Sequence, residues 1–170
     1  MTAQLNLRAL KLRSGEQYRT REALTLEPFE LGGQRYEPRP AEVEADVVVT
    51  QALTGTVFEL AFAVRLEGPC FRCLEDASLD LDVRAREYQA KDPEGSDELS
   101  TAYLHEDRLD LDEWARDAVA DLLPLQILCR EDCAGLCPVC GKNLNDEPHE
   151  HDDVASDPRW AALEQLRERL

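Results

Sequence analysis

The stretch Ala41-Glu-Val-Glu-Ala-Asp-Val-Val-Val-Thr-Gln-Ala-Leu-Thr-Gly-Thr-Val-Phe-Glu-Leu-Ala-Phe-Ala-Val-Arg-Leu-Glu67 contains two β patterns separated by a turn. Val43, Ala45, Val47 and Val49 alternate with Glu42, Glu44, Asp46 and Val48, the period of a strand buried on one face. Gln51 to Gly55 carries a turn signal, and Thr56 to Glu67 is a longer run rich in Val, Phe and Leu. Together they predict an antiparallel hairpin. Just downstream, Gly68-Pro69 is expected to break the second strand and place Cys70-Phe-Arg-Cys73 in a turn. Alternation resumes from Ala77 to Tyr88 through Leu79, Leu81, Val83 and Ala85, so the cysteine pair caps a second hairpin. Upstream, Leu5, Leu7, Leu10 and Leu12 suggest a first strand. Residues 13–40, with Pro28, Gly32-Gly33, Pro38 and Pro40, read as loop with short extended pieces.

Beyond the hairpins the pattern changes. Residues 91–109, including Lys91-Asp-Pro-Glu-Gly-Ser96, read as an acidic linker. Asp110 is a good N-cap with Glu113 three residues on. Leu111, Trp114, Ala115, Ala118, Val119 and Leu122 then form a helical stripe that Pro124 ends. Asp157-Pro158 starts a last helix with proline at its first position, and Trp160, Leu163, Leu166 and Leu170 mark its apolar side. The expected fold is α+β: a small antiparallel sheet or meander with a packed helix, a zinc-knuckle region and a C-terminal helix. Its parts are a β region at 1–90, the linker at 91–109 and a helical and metal-binding part at 110–170, integrated into one domain.

Most of the chemistry lies in residues 129–151, Cys-Arg-Glu-Asp-Cys-Ala-Gly-Leu-Cys-Pro-Val-Cys-Gly-Lys-Asn-Leu-Asn-Asp-Glu-Pro-His-Glu-His. Two cysteines separated by two residues can grip one ion from a single tight turn. Gly141 lets the chain turn back after Cys140, and Pro138 stiffens the loop between the ligands. With Cys70 and Cys73 there are eight candidate ligands, and zinc takes four in a tetrahedron. Four plus four fits two ions: Cys70, Cys73, Cys129 and Cys133 around one, and Cys137, Cys140, His149 and His151 around the other. A single ion held by Cys129, Cys133, Cys137 and Cys140 is the alternative division. In either case all four positions are filled by protein, which marks a structural rather than a catalytic zinc. His149 and His151 also fit a reading as part of a solvated acidic tail.

Six cysteines could instead build disulfides, which need an oxidising compartment. The opening residues Met1 to Leu12 hold no apolar run of signal-peptide length, and no segment approaches the roughly 20 apolar residues of a membrane span. A cytoplasmic protein with reduced thiols is therefore expected. A thioredoxin-like pair would open a helix in a βαβ unit, whereas Cys70 lies between strands. No phosphate loop or nucleophile–base arrangement stands out, which argues against an enzyme and a small-molecule substrate.

Composition adds a constraint on partners. The 43% hydrophobic content can build a core, and the 6% aromatic content makes it mainly aliphatic. The formal charge of −17 disfavours nucleic acid as a general partner and suits a basic protein. Charge is uneven, however: residues 1–40 are net +2 and the remainder net −19. Arg8, Lys11, Arg13, Arg19 and Arg21 are thus the candidate RNA contacts, against the plainer reading that they are solvated loop charges.

Cys70-Phe-Arg-Cys73-Leu followed by Cys129-x-x-x-Cys133-x-Gly135-Leu-Cys137-Pro-x-Cys140-Gly-x-Asn143-Leu-Asn145 resembles the YceD family of bacteria and plastids, the large ribosomal RNA subunit accumulation proteins. Asp157-Pro-Arg-Trp-Ala-Ala-Leu163 resembles that family's C-terminal helix, so the resemblance spans essentially the whole chain. One departure is visible: many members carry Cys-x-Cys where this chain has His149-Glu-His151. The resemblance implies a non-enzymatic factor, stabilised by one or two structural Zn2+ ions, that is required for 23S ribosomal RNA to accumulate. Its partner would be 23S RNA itself or a basic large-subunit ribosomal protein. The competing expectation is a redox- or zinc-responsive regulatory binding protein, motivated by the clustered thiols.

Overall fold

Strand pairing dominates the computed structural model, which describes residues 3–91 and 99–151. Among the described residues there are nine strands and two helices, all strand pairs being antiparallel. The expected α+β fold, a small antiparallel sheet with a packed helix and a C-terminal helix, is therefore corrected to a mainly antiparallel β fold. One helix is a single turn and the other has ten residues. The anticipated helix from Pro158, with Trp160, Leu163, Leu166 and Leu170, lies outside the described residues.

The spine is a long hairpin. Strand β6 (Gly55–Pro69) pairs with β7 (Asp76–Ala90) along its whole length, from Gly55↔Ala90 to Pro69↔Asp76. At 15 residues each, these strands reach about 50 Å. Along the other edge of β6 lie β5 (Glu42–Gln51) and β4 (Gln34–Arg39), one after the other. Arg39 pairs with Arg65 and Asp46 with Ala61, so seven steps on one side face four on the other. The surplus of three residues splits what would be one strand into two. Each half recruits its own outer neighbour: β2 (Gln17–Thr25) joins β5, and β3 (Phe29–Leu31) joins β4.

Two departures from the sequence reading follow. Gly68 and Pro69 still belong to β6 as its last two pairs, so the strand ends at Pro69 rather than before Gly68. The ring of Tyr36 crosses Gly68 so closely that an added Cβ would lie 2.5 Å from Tyr36 Cδ1 and 2.7 Å from the Arg35 carbonyl oxygen. The Tyr36 hydroxyl donates to the Pro69 carbonyl at 2.9 Å, which fixes the ring there. Residues 17–25, expected as loop, form the nine-residue strand β2, paired with β5 from Gln17↔Thr50 to Thr25↔Glu42. Partner-strand hydrogen bonding outweighs their weak hydrophobic contrast.

A second, three-stranded sheet closes the fold. Strand β1 (Gln4–Asn6) pairs with β9 (Arg108–Asp110), which pairs with β8 (Leu104–His105). The expected first strand therefore stops early, and Leu7–Leu10 wind into the one-turn helix α1. Helix α2 (Leu111–Ala120) starts where predicted, the Asp110 carboxylate accepting from the Glu113 N–H at 3.1 Å. Leu111, Trp114, Ala115 and Val119 are buried in one apolar cluster with Leu24, Val47, Phe58, Leu60 and Val83. Leu122 falls beyond the helix and is 46% exposed, so it does not extend the stripe. Asp112 ties the helix to both sheets, accepting from the Ala3 N–H at 2.8 Å and the Thr25 N–H at 3.0 Å.

Candidate metal centres

The tip of the β6–β7 hairpin is a knuckle built by its own backbone. The Cys70 N–H donates to the Glu75 carbonyl at 2.6 Å and the Leu74 N–H to the Cys70 carbonyl at 3.0 Å, with Leu74 at a positive φ of 65°. This turn brings Cys70 and Cys73 to one side. The segment after α2 docks against it, the Phe71 N–H donating to the Ile127 carbonyl at 2.8 Å. The Arg72 guanidinium donates to the Cys133 carbonyl at 3.0 Å, and the Leu136 N–H donates to the Arg72 carbonyl at 3.1 Å. Gly135, at φ 80°, makes room for Arg72.

Cys70, Cys73, Cys129 and Cys133 thereby converge. The Cys70 and Cys133 sulfurs are 3.8 Å apart, and those of Cys73 and Cys129 are 3.6 Å apart. Four thiolates placed tetrahedrally at about 2.3 Å from zinc would be about 3.8 Å from one another. Cys70, Cys73 and Cys133 are buried within the apolar core, while Cys129 is exposed.

The second cluster sits on a small hairpin. Leu136 and Asn143 bridge its arms, and the Cys137 N–H donates to the Lys142 carbonyl at 2.8 Å. The Gly141 N–H returns to the Cys137 carbonyl at 2.8 Å, with Gly141 at φ 74°. Cys137 and Cys140 lie at the tip, and His149 comes back to them, its Nε2 3.1 Å from the Cys140 sulfur. His149 Nδ1 is 2.7 Å from the Glu147 carbonyl oxygen. A carbonyl only accepts, so Nδ1 carries a proton, and Nε2 is the ring nitrogen turned to the cluster, placed to ligate a metal once it is unprotonated. The His151 ring packs edge-on against that of His149 at 4.9 Å between centroids.

The structure thus brings all eight candidate ligands into two groups of four, Cys70–Cys73–Cys129–Cys133 and Cys137–Cys140–His149–His151, with donor atoms within 4.8 Å of one another in each group. Each group could hold a metal ion. Proton affinities within them are uneven. Backbone N–H groups of Cys140 and Val139 bring Cys137 down to about 6. For Cys70, burial acts upward, but N–H groups of Cys73, Cys129 and Arg72 outweigh it and lower the thiol to about 6. Burial pushes Cys73 up to about 12. An amide hydrogen bond from Asn145 lowers Cys133. The N–H groups thus favour anionic sulfur in a cluster where four bare thiolates would repel.

The basic residues proposed for RNA contact do not form one patch. Arg8 pairs with Asp107 and, with Lys11, lines a shallow groove beside α1. Arg13 lies in the turn before β2, its N–H donating to Glu16. Arg19 and Arg21 lie on the outward side of β2, where Arg21 pairs with Asp46 at 3.0 Å. Arg19 shares a second groove with Arg84 and Arg86 of β7, two residues the sequence reading passed over. The register Arg19↔Val48↔Glu59↔Arg86 puts Arg19 and Arg86 in one row across four strands with Glu59 between them, and Arg84 lies in the next row with Ala61, Asp46 and Arg21.

Comparison with known proteins gives a consistent relationship. A family described as large ribosomal RNA subunit accumulation protein YceD matches residues 58–167, a span that includes all eight candidate ligands. Uncharacterised proteins of Mycobacterium tuberculosis and Mycobacterium bovis are each 33% identical over 131 residues, covering 74% of this chain and 62% of their own length. One from Mycobacterium leprae is 33% identical over 132 residues, covering 74% of this chain and 55% of its own. The chain spans about three fifths of the length of the curated relatives it matches. No solved structure matches. No helix among the described residues is long and apolar enough to cross a membrane.

Proposed function

The chain belongs to the YceD family of large ribosomal RNA subunit accumulation proteins, and from that premise we propose that it is a non-enzymatic cytoplasmic factor of large-subunit biogenesis, held in shape by two structural zinc ions. The observation that carries this reading is the family match, which runs through both four-donor clusters. Cys70, Cys73, Cys129 and Cys133 would hold one ion, and Cys137, Cys140, His149 and His151 the other. Four protein donors leave no position for a substrate or an activated water, which supports a structural role. Bound zinc would cross-link the β6–β7 tip to the segment after α2.

Accumulation of 23S RNA would depend on contact either with the RNA or with a basic large-subunit protein. The charge of −17 favours the protein. The outward arginines Arg19, Arg84 and Arg86, which share their groove with Asp46 and Glu59, would be the cationic partners for RNA phosphates.

The test is affinity capture of the tagged chain from growing cells, with and without RNase, together with depletion of the protein. Depletion should lower 23S relative to 16S RNA; unchanged 23S RNA and normal large subunits would sink the reading. A basic subunit protein that stays bound after RNase identifies the partner as protein. Recovery of 23S precursor, with other partners lost after RNase, identifies it as RNA. Zinc release by mild oxidant with an accompanying change of partner would instead favour a redox-responsive regulator.

A further inference from the structure

We infer that Asn145 is a positioning residue that couples the two metal sites, carrying the order imposed by the Cys137–Cys140–His149–His151 site to the sulfur of Cys133. The inference rests on the zinc reading above and goes beyond it, because nothing in ligand spacing assigns Asn145 a role.

The geometry of one carboxamide carries it. Asn145 Oδ1 accepts from the Ala134 N–H at 2.8 Å. A backbone N–H can only donate, so the amide orientation is fixed and Nδ2 must face the other way. There it donates to Asn143 Oδ1 at 2.7 Å and to Cys133 Sγ at 3.4 Å. The Asn145 N–H also donates to Asn143 Oδ1 at 3.0 Å, so the amide is held from several directions. Cys133 belongs to the four-cysteine site, whereas Asn145 lies between the two halves of the other. Cys137 and Cys140 precede it and His149 and His151 follow it. An ion held by Cys140 and His149 therefore closes a loop with Asn145 inside. The Leu144 N–H donating to the Gly135 carbonyl at 2.9 Å, and the Leu136–Asn143 bridge, carry that closure to the foot of the hairpin.

Charge says why the contact matters more at one site than at the other. Four thiolates around a divalent ion leave a net −2, while two thiolates and two neutral imidazoles leave zero. A tetrathiolate gains most from N–H donors that spread its charge, and such outer partners typically change metal affinity by about 10–100-fold.

The test is competitive titration of the reduced full chain with zinc and a chromogenic chelator, alongside Co2+ substitution. Sulfur-to-cobalt absorption separates the four-cysteine site from the mixed site. Asn145→Ala should weaken the four-cysteine site about 10–100-fold. Asn145→Asp, which keeps the acceptor for Ala134 but removes the donor, should weaken it as well. His149→Ala with His151→Ala should also weaken the four-cysteine site, and this loss should vanish when Asn145→Ala is already present. Far-ultraviolet circular dichroism should show the β sheet intact in every variant. Unchanged affinity in both Asn145 variants, or a histidine effect that persists in full beside Asn145→Ala, overturns the coupling while two ions in the parent protein leave the zinc reading standing. A parent protein that binds fewer than two ions overturns both.

Discussion

Single residues carry the strongest constraints on this molecule. At the hairpin tip, Cys137 is buried and held toward thiolate by neighbouring N–H groups. Cys137→Ser should reduce bound zinc from about two ions per chain to about one and lower the melting temperature of the 133–151 region, because binding and folding are coupled at such sites. Atomic emission and a melt followed in the reduced protein check it; full zinc and an unchanged curve would remove Cys137 from the ligand set. Gly68 is constrained by shape instead. A methyl group there meets Tyr36 and the Arg35 carbonyl, so Gly68→Ala should cost about 1–3 kcal/mol in denaturant unfolding. A loss below a few tenths would mean that the Tyr36 ring moves aside easily. The cysteines were legible in the sequence because ligand spacing is a local property. Asn145 stood out only as part of the longer motif, and its role was hidden, since it depends on an amide reaching Cys133 twelve residues back.

Elements were legible to the extent that their burial is one-sided and strong. Strands β5, β6 and β7 announce themselves by alternation, and α2 by its cap and stripe. Removing the cap in Asp110→Ala should cost about 1 kcal/mol, or roughly 2–4 °C in Tm for a chain of this size. Calorimetry checks it, and an unchanged Tm would show that Asp112 and its bonds to Ala3 and Thr25 suffice to hold the helix start. Strand β2 escaped notice for a physical reason. Its inward positions are Tyr18, Thr20, Glu22 and Leu24 and its outward ones Gln17, Arg19, Arg21 and Ala23, so polarity hardly differs between the faces. It is an edge strand, paired with β5 on one side, and its conformation comes from that neighbour. Gly68-Pro69 does end β6, two residues later than expected, because Pro69 sits at the last pair of the strand, where a missing donor does least harm.

At the scale of the whole molecule, an antiparallel β body and an appendage carrying the candidate metal ligands share one boundary. Cys70, Cys73 and Cys133 belong to the same apolar cluster as Val64, Leu66 and Ile127, so the first site is part of the core. The second stands on an exposed hairpin, with Cys140 on its surface. Chelation should therefore loosen the molecule in stages. Amide exchange should rise first in 134–149, then at 69–76 and 127–133, with β5 and the middle of β6 protected longest. Hydrogen exchange with mass spectrometry during zinc removal checks this order, and simultaneous loss of protection everywhere would mean that the two parts fold as one unit. The nearness of Arg19 and Arg86 was invisible in the sequence, because residues 19 and 86 come into one row only through the register of three strand pairs.

The pairing of β1 with β9 also sets a timetable. Gln4 finds its partner in Asp110 and Asn6 in Arg108, so the first strand leaves the ribosome more than a hundred residues before anything exists for it to pair with. At about 5–20 residues per second that interval is on the order of 5–20 s. Cys70 and Cys73 wait in the same way for Cys129 and Cys133. The β6–β7 hairpin can form in the meantime, since its partners are near neighbours in the chain. The nascent protein thus passes through a stage in which its first strand and two unpartnered sulfurs await residues still to be made, and only late synthesis brings the partners of both.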